Sequence, residues 1–310
     1  MKILITGGAG FIGSHIVERL MIRHEVSVLD DFSTGFASQI DQSRVQVIEG
    51  SVVDSHLVHS LDQDWDSIIH LAAESSVPES FARPREFLDV NTEGTINMLQ
   101  LAASAQSHFV LASSASVYGR NEESTHSEHS WTQPLSPYAA SKLAAEGMAF
   151  SFAEQFGLSV AVCRFFNVFG PRQRPDHPYA AVVPRFASQA LRGQPLTVFG
   201  DGEQTRDLVS VGFVCDVLTF LCESRQDVQA PIPIATGLSV SILELAQRVL
   251  ALSGSSSRLH FLPPRQGEVR HSKGDPGLLL SLMPSAPVAD LDSSLDLTLD
   301  WMDSTIKSIG

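Results

Sequence analysis

Tyr138 and Lys142 stand four residues apart in the run Tyr-Ala-Ala-Ser-Lys. On a helix that spacing puts both side chains on one face. A free tyrosine titrates near pH ~10 and is a poor base at neutral pH. A neighbouring ammonium stabilises its phenolate. Tyrosine activated in this way can take the proton from a hydroxyl while hydride leaves the same carbon. A Tyr–Lys pair of this spacing also arises by chance, as an ordinary pair on a helix surface. The segment Ser113-Ser114-Ala115-Ser116-Val117-Tyr118-Gly119 adds weight, because it follows the strand-like run His108–Ala112. In an open parallel sheet the carboxyl ends of the strands converge on one crevice. Ser114 can therefore share a hydroxyl with Tyr138.

A second pattern supplies the hydride acceptor. Gly7, Gly10 and Gly13 form G-x-x-G-x-x-G between the apolar run Lys2–Thr6 and a helical pattern, Phe11–Met21, that Phe11 and Ile12 open. Glycines there permit a tight turn and close approach of a pyrophosphate, which the helix N-terminus attracts. Asp30 ends the next apolar run, Val26–Leu29, where a carboxylate can hold the adenosine ribose and favour NAD over NADP. Asp31 beside it either joins that contact or faces solvent. The ordinary alternative, a structural turn and a solvated aspartate, fits the strand–turn–helix context less well. A nicotinamide ring, positive when oxidised, would add to Lys142 in stabilising the Tyr138 phenolate.

These residues need a frame. Further strand patterns fall at Val45–Ile48, Ser67–Leu71 and Ser159–Arg164, and helical patterns at Arg85–Ala105 and Pro137–Phe156. Alternating strands and helices imply an α/β fold: a doubly wound parallel sheet of the Rossmann type, with a smaller C-terminal substrate-binding lobe. The cofactor domain is expected over 1–165, with 205–235 packing back on it, and the lobe over 166–204 and 236–310. Within the second half, helices are expected at Ala180–Leu191, Val211–Glu223, Ile242–Leu252 and Leu291–Ile309, and loops at Ser253–Ser257 and Pro263–Pro276.

The 310 residues carry 21 Lys+Arg and 35 Asp+Glu, a net charge of −14. That balance argues against a nucleic-acid groove or an anionic membrane surface, and an anionic ligand needs a local cationic site. With 43% hydrophobic and 18% charged residues the chain has globular composition. Cys163, Cys215 and Cys222 form no CxxC, so neither a disulfide framework nor a zinc site is expected, and no metal is assigned. Glycines interrupt the first apolar run, so it does not read as a signal peptide, and no apolar run reaches the ~18 residues of a membrane span. A cytoplasmic location follows as the expectation.

Taken together, the motifs identify a resemblance. TGGAGFIGSH at Thr6–His15, HLAA at His70–Ala73, SSASVYG at Ser113–Gly119, YAASK at Tyr138–Lys142, RFFNVFGPRQ at Arg164–Gln173, GDGEQTRD at Gly200–Asp207 and PRQGEVRHS at Pro264–Ser272 occur in the order found in extended short-chain dehydrogenases/reductases of the nucleotide-sugar epimerase/dehydratase group. The resemblance implies that Ser114, Tyr138 and Lys142 are catalytic. It implies an NAD site lined by Gly7, Gly10, Phe11, Ile12 and Gly13 of the glycine loop, Asp30, Asp31, Ser51, Val52, Leu71, Ala72, Ala73, Asn91, Tyr138 and Lys142. Ser75, Asn167, Val182, Val183, Thr197, Phe199, Arg206, Arg265 and Ser272 are the implied substrate contacts. Of these, Phe199 holds the position that stacks on uracil, and Arg206 and Arg265 grip the diphosphate, a task suited to the guanidinium fork.

The residues after Ser114 bear on the reaction. The 4,6-dehydratases similar to this chain carry Asp-Glu there, and sugar-nucleotide decarboxylases usually keep the glutamate. Here the pair is Ala115-Ser116, as small as in 4-epimerases. Ser272 stands where epimerases restricted to glucose and galactose nucleotides have a tyrosine, leaving room for a 2-acetamido group. The Tyr179–Pro184 stretch also looks like that of N-acetylhexosamine-tolerant members. The expected activity is therefore 4-epimerisation of UDP-GlcNAc/UDP-GalNAc, with UDP-Glc/UDP-Gal as a second pair. UDP-glucuronate 4-epimerisation is an alternative, since Arg172–Asp176 resembles those enzymes. Dehydration or decarboxylation is another, and a non-catalytic NAD sensor comes last. Two departures stand out: Ser51 replaces a family aspartate near adenine, and Val211-Gly212-Phe213-Val214 replaces a pattern containing an acid. The resemblance also implies a homodimer through the Arg85–Ala105 and Pro137–Phe156 helices. Met98, Leu101, Leu143 and Met148 would lie in that seam or against the subunit's own sheet.

Overall fold

The computed structural model describes residues 1–120, 123–176, 180–264, 269–286 and 290–309. The expected apolar runs form strands β1 (Lys2–Thr6), β2 (Glu25–Asp30), β3 (Gln46–Glu49), β4 (Ser67–His70), β5 (His108–Ser114) and β6 (Val160–Phe165). With Ile232–Ile234 at one edge they make a seven-stranded sheet in the order Ile232–Ile234, β6, β5, β4, β1, β2, β3. Every pairing in it is parallel. The strand order reverses between β1 and β4, so this is the doubly wound Rossmann-type sheet. Its crevice opens at the carboxyl ends of those two strands.

A parallel sheet is covered on both faces, and alternate side chains go to opposite ones. Ile3, Ile5, Val28, Val110 and Cys163 pack with Ile16, Val17 and Leu20 of helix α1 (Phe11–Leu20). Leu4, Leu29, Ile68, Phe109 and Val162 pack on the other side. The helices that follow are α2 (Ser55–Ser60), α3 (Val77–Ala82), α4 (Pro84–Leu88), α5 (Gly94–Ala105), α6 (Pro137–Phe156), α7 (Val182–Leu191), α8 (Val211–Ser224), α9 (Ile242–Ser253), α10 (Gly277–Leu282) and α11 (Leu291–Ile309). α8 joins the first cluster, and α5 and α6 join the second. The three cysteines are free and buried. Among the described residues no helix is long and apolar enough to cross a membrane.

The single helix expected over Arg85–Ala105 is instead α4, one widened π turn at Asp89–Glu93, and α5. Such turns occur often at functional sites, and this one carries the buried Asn91. Met98 and Leu101 belong to the subunit's own core, whereas Met148 is 38% exposed. The loop expected at Pro263–Pro276 holds a two-residue strand, His271–Ser272, which pairs with Thr205–Arg206. A third apolar cluster joins α7, α9 and α11 around Phe186, Val198, Leu245 and Met302.

Helix α6 carries the site. Ser136 caps it by accepting the Ala139 N–H at 3.1 Å, Pro137 opens it, and Gly157 ends it in the left-handed region. Glu146, one turn beyond Lys142, is almost fully buried and meets Arg164 of β6 through both carboxylate oxygens, at 3.0 and 2.7 Å. Ser113 of β5 donates a further hydrogen bond to Glu146. The Arg164 guanidinium also lies 4.8 Å from the centre of the Tyr118 ring. Removing one partner from such a pair leaves an uncompensated buried charge. Glu146→Ala is therefore expected to lower stability by about 3–5 kcal/mol, measured by urea unfolding. A loss below about 1 kcal/mol, the worth of an exposed pair, would contradict this reading.

Candidate active site

The cleft outside β1 and β4 has a volume of about 510 Å³. Gly7 turns the chain at φ 68°, and a Cβ there would come within 2.7 Å of the Ala72 backbone nitrogen. A Cβ on Gly13 would stand 2.0 Å from the Gly7 carbonyl oxygen, so the turn and the helix close on each other only with glycine. α1 begins at Gly10 with no side-chain cap and no acid in its first turn. In contrast, α2, α3, α6, α8 and α9 are each capped by an Asp or Ser side chain. The first N–H groups of α1 thus lack an acceptor from within the helix, and the positive end of the helix borders the cleft. This suits a pyrophosphate.

Asp30, 7% exposed, accepts the Ala9 N–H at 2.8 Å and the Phe32 N–H at 2.9 Å. Burial raises its pKa, and the two N–H donors oppose the rise. It lines the cleft with a fixed carboxylate that retains lone pairs for ribose hydroxyls. Asp31 also lines it, but is exposed and turned onto Ser33. Ser51, Val52, Leu71, Ala72, Ala73 and Ser75 all border the cleft. Asn97 donates to the Val52 carbonyl at 2.9 Å and so secures the loop where Ser51 replaces the expected acid.

Asn91 is expected to line the NAD site; here it is buried next to the cleft-lining residues Val90 and Glu74. Its amide is engaged behind the wall, where the π turn carries it. It accepts the Glu74 N–H at 2.8 Å and donates to the Glu74 carbonyl and Ser141 Oγ, each at 2.9 Å. Beside it runs a fully paired chain. The Ala72 N–H donates to Thr6 Oγ1, which meets His70 Nδ1 at 2.7 Å. His70 Nε2 meets Thr95 Oγ1 at 3.0 Å, and Thr95 donates to the Asn91 carbonyl. Since Thr95 gives its proton to that carbonyl, His70 must donate from Nε2 and accept at Nδ1. Burial, with the Lys142 charge nearby, lowers the His70 pKa to about 3.

Ser114, Tyr138 and Lys142 meet at the cleft, as expected. Burial raises the Tyr138 pKa, and a hydrogen bond from Ser114 opposes the rise. The ring packs edge-on against buried Phe87, centroids 6.4 Å apart. Lys142 Nζ donates to the Ala112 carbonyl at 3.0 Å. Burial lowers its pKa to about 8, and Glu146 opposes the fall. Ser114 Oγ also accepts the Ser116 N–H at 3.2 Å, which shapes the short turn Ala115–Tyr118. That turn bears no carboxylate.

Among the described residues, the other expected contacts are not on the lining of this cleft. Asn167 donates to the Asp207 carbonyl at 3.0 Å, and Arg206 pairs in register with Ser272. Buried Asp207 accepts from Thr236, Gly237 and Gly274, which fixes these strands together. Thr197 is tied to Gln189 of α7, and the Arg185 guanidinium lies 5.3 Å from the Phe199 ring centre. The Val183 side chain is in the core, so only its backbone is offered; the cause is its place on the inner face of α7. Val182 is half-buried and packs against the same core. Arg265 and Tyr179 lie outside the described residues. Asn97, Thr95, Phe87 and Asp207 escaped the sequence reading. They are ordinary core or helix positions whose partners come largely from distant parts of the chain.

A doubly wound sheet, a glycine turn before an uncapped helix, a buried aspartate and a Ser–Tyr–Lys group meet at one cleft, the arrangement expected of a dinucleotide-binding enzyme. Residues 3–235 match the NAD-dependent epimerase/dehydratase family, and the chain belongs to it. UDP-glucuronic acid decarboxylase 1 of Xenopus tropicalis is 36% identical over 306 residues, covering 97% of this chain and 72% of its own. The UDP-N-acetylglucosamine 4-epimerase from Methanobrevibacter ruminantium, solved with UDP-N-acetylmuramic acid, is 32% identical with a TM-score of 0.94 over 98% of both chains. The Thermus thermophilus UDP-glucose 4-epimerase, solved with NAD, is 32% identical with a TM-score of 0.89, over 97% of this chain and 99% of its own. NAD is the cofactor, and the α1 terminus and Asp30 fit it.

Tyr138→Phe is expected to lower kcat by about 10²–10⁴-fold while bound NAD is retained, as read by turnover and by cofactor content. Wild-type turnover would remove Tyr138 from the chemistry. His70 is expected to stay neutral, protonated at Nε2, throughout pH 5–8 in nitrogen NMR; a titration near ~6.5 would contradict the network.

Proposed function

We propose that the chain is a 4-epimerase of a UDP-sugar, acting on UDP-GlcNAc/UDP-GalNAc and also on UDP-Glc/UDP-Gal. The observation that carries the reaction type is the turn after β5. Ala115 and Ser116 place no carboxylic acid beside Ser114 and Tyr138, so nothing in that turn serves an elimination. The small Ser272, next to Arg206, supports the wider sugar.

Tyr138 takes the proton from the sugar 4-OH, Ser114 holds that oxygen, and Lys142 stabilises the phenolate. NAD held by the α1 terminus and Asp30 would supply the acceptor for the C4 hydride and the donor for its return. Turned over while its nucleotide stays held, the 4-keto sugar receives the proton from Tyr138 on its return. Asn167, Thr197, Arg206 and the stacking face of Phe199 serve the nucleotide, with the α7 backbone at Val182 and Val183, Ser75, and Arg265. In this reading 1–165 with 205–235 is the cofactor domain, and 166–204 with 236–310 the substrate lobe. Met148 and Phe156, 38% and 54% exposed on α6, support a homodimer through that helix. The free cysteines are in keeping with a cytoplasmic enzyme.

A second reading, decarboxylation of a UDP-uronate, is favoured by the 36% identity to a UDP-glucuronic acid decarboxylase. Proton NMR and mass spectrometry separate the two. UDP-GlcNAc incubated with purified protein and no added NAD is expected to yield UDP-GalNAc of unchanged mass. No change with UDP-GlcNAc, together with carbon dioxide loss from UDP-glucuronate, would overturn the proposal.

A further inference from the structure

The family motif that begins in β6 continues past the site into Pro171-Arg172-Gln173-Arg174, a segment with no part in the chemistry above. It reaches α1 and the loop after β2, and is fixed there by contacts from separate elements. The Pro171 carbonyl accepts from His15 Nε2 of α1 at 2.9 Å. Arg172 Nη2 lies 2.5 Å from Glu18 Oε1, one turn further along α1. Gln173 lines the cleft, and its Nε2 donates to the Val168 carbonyl at 3.1 Å. The Arg174 guanidinium sits 5.1 Å from the ring centre of Phe36. Phe36 is itself anchored to the glycine turn, since its N–H donates to the Ala9 carbonyl at 3.1 Å, and Gly35 is pressed against Ala9.

Arg172 has φ 68°, a conformation that costs a non-glycine residue energy and persists only when surrounding contacts enforce it. Here the enforcing contacts are those to α1. The segment therefore bridges α1 and the loop after β2, the two elements that hold the pyrophosphate and ribose ends of the cofactor. Gln173 faces inward between them.

We propose that Pro171–Arg174 is a strap forming the outer wall of the NAD site, and that its contacts with His15, Glu18 and Phe36 keep the dinucleotide bound from one turnover to the next. Arg172 is a positioning residue that holds Gln173 against the cofactor. The proposal rests on NAD as cofactor and is independent of which sugar is used.

The test measures NAD release from the full-length holoprotein, by gel filtration followed by assay of retained dinucleotide and by the release rate into excess competing nucleotide. In Glu18→Ala/Phe36→Ala, release is expected to quicken by about tenfold, an effect on the off-rate, with apoprotein melting temperature unchanged. Arg172→Gly, which relieves the strained φ while deleting the guanidinium, is expected to release NAD faster without loss of fold. The charge-exchanged pair Glu18→Arg/Arg172→Glu is expected to restore part of the retention lost in either single variant. Release unchanged in both Glu18→Ala/Phe36→Ala and Arg172→Gly would overturn the proposal, whatever the sugar activity.

Discussion

Beneath the cleft a glutamate and an arginine, both almost withdrawn from water, face each other through three hydrogen bonds. Each charge alone would be costly there, and their pairing is what makes the arrangement tolerable. The pair comes from α6 and β6, and Ser113 of β5 completes it. It therefore fixes the distance between the strand that ends in Ser114 and the helix that bears Tyr138 and Lys142. The same arginine lies against Tyr118, which stacks on His126 at 4.6 Å, and the His126 N–H donates to the Lys273 carbonyl. Ser272, beside Lys273, is a proposed sugar contact. One buried charge pair thus links the reacting group to the strands on which the substrate is proposed to rest.

A parallel logic governs the cofactor side. Helix α1 is left without a side-chain cap or an acid in its first turn, and its N-terminus borders the cleft. The neutral His70 network behind β4 keeps Ala72 and Glu74 in place without adding a charge near Lys142. The lowered Lys142 pKa, about 8, leaves its ammonium responsive to its surroundings. Glu146, one turn away, favours the charged form that Tyr138 needs.

Much of this was legible in the sequence. The parallel strands are near-continuous apolar runs, and α6 is bounded by Ser136, Pro137 and Gly157, so their limits follow from local chemistry. The glycine turn, Asp30 and Ser114 are legible because motif and fold place them at strand ends, and Tyr138 and Lys142 because their spacing puts them on one face of α6. The π turn was not, since its apolar spacing continues that of the helices around it. The sequence puts Asn91 near the cleft but gives no sign that its amide is spent on Glu74 and Ser141. The two-residue strands that join Arg206 to Ser272 are too short to have a period. The partners of Asp207, namely Thr236, Gly237 and Gly274, come from distant positions that no local pattern links to it.

The choice among family reactions narrows to what stands next to Ser114 and Tyr138. A turn of alanine and serine can shape the backbone but cannot donate or remove a second proton in an elimination. Oxidation and re-reduction at one carbon need only the Tyr138 proton and a returned hydride, so the hydrogen at C4 should never leave the active site. The direct measurement follows UDP-GlcNAc deuterated at C4 through conversion by the purified holoprotein, by NMR and mass spectrometry. The account predicts UDP-GalNAc with deuterium still at C4 and an unchanged mass. Product that has lost the C4 label to solvent, or lost water from the sugar, would contradict it.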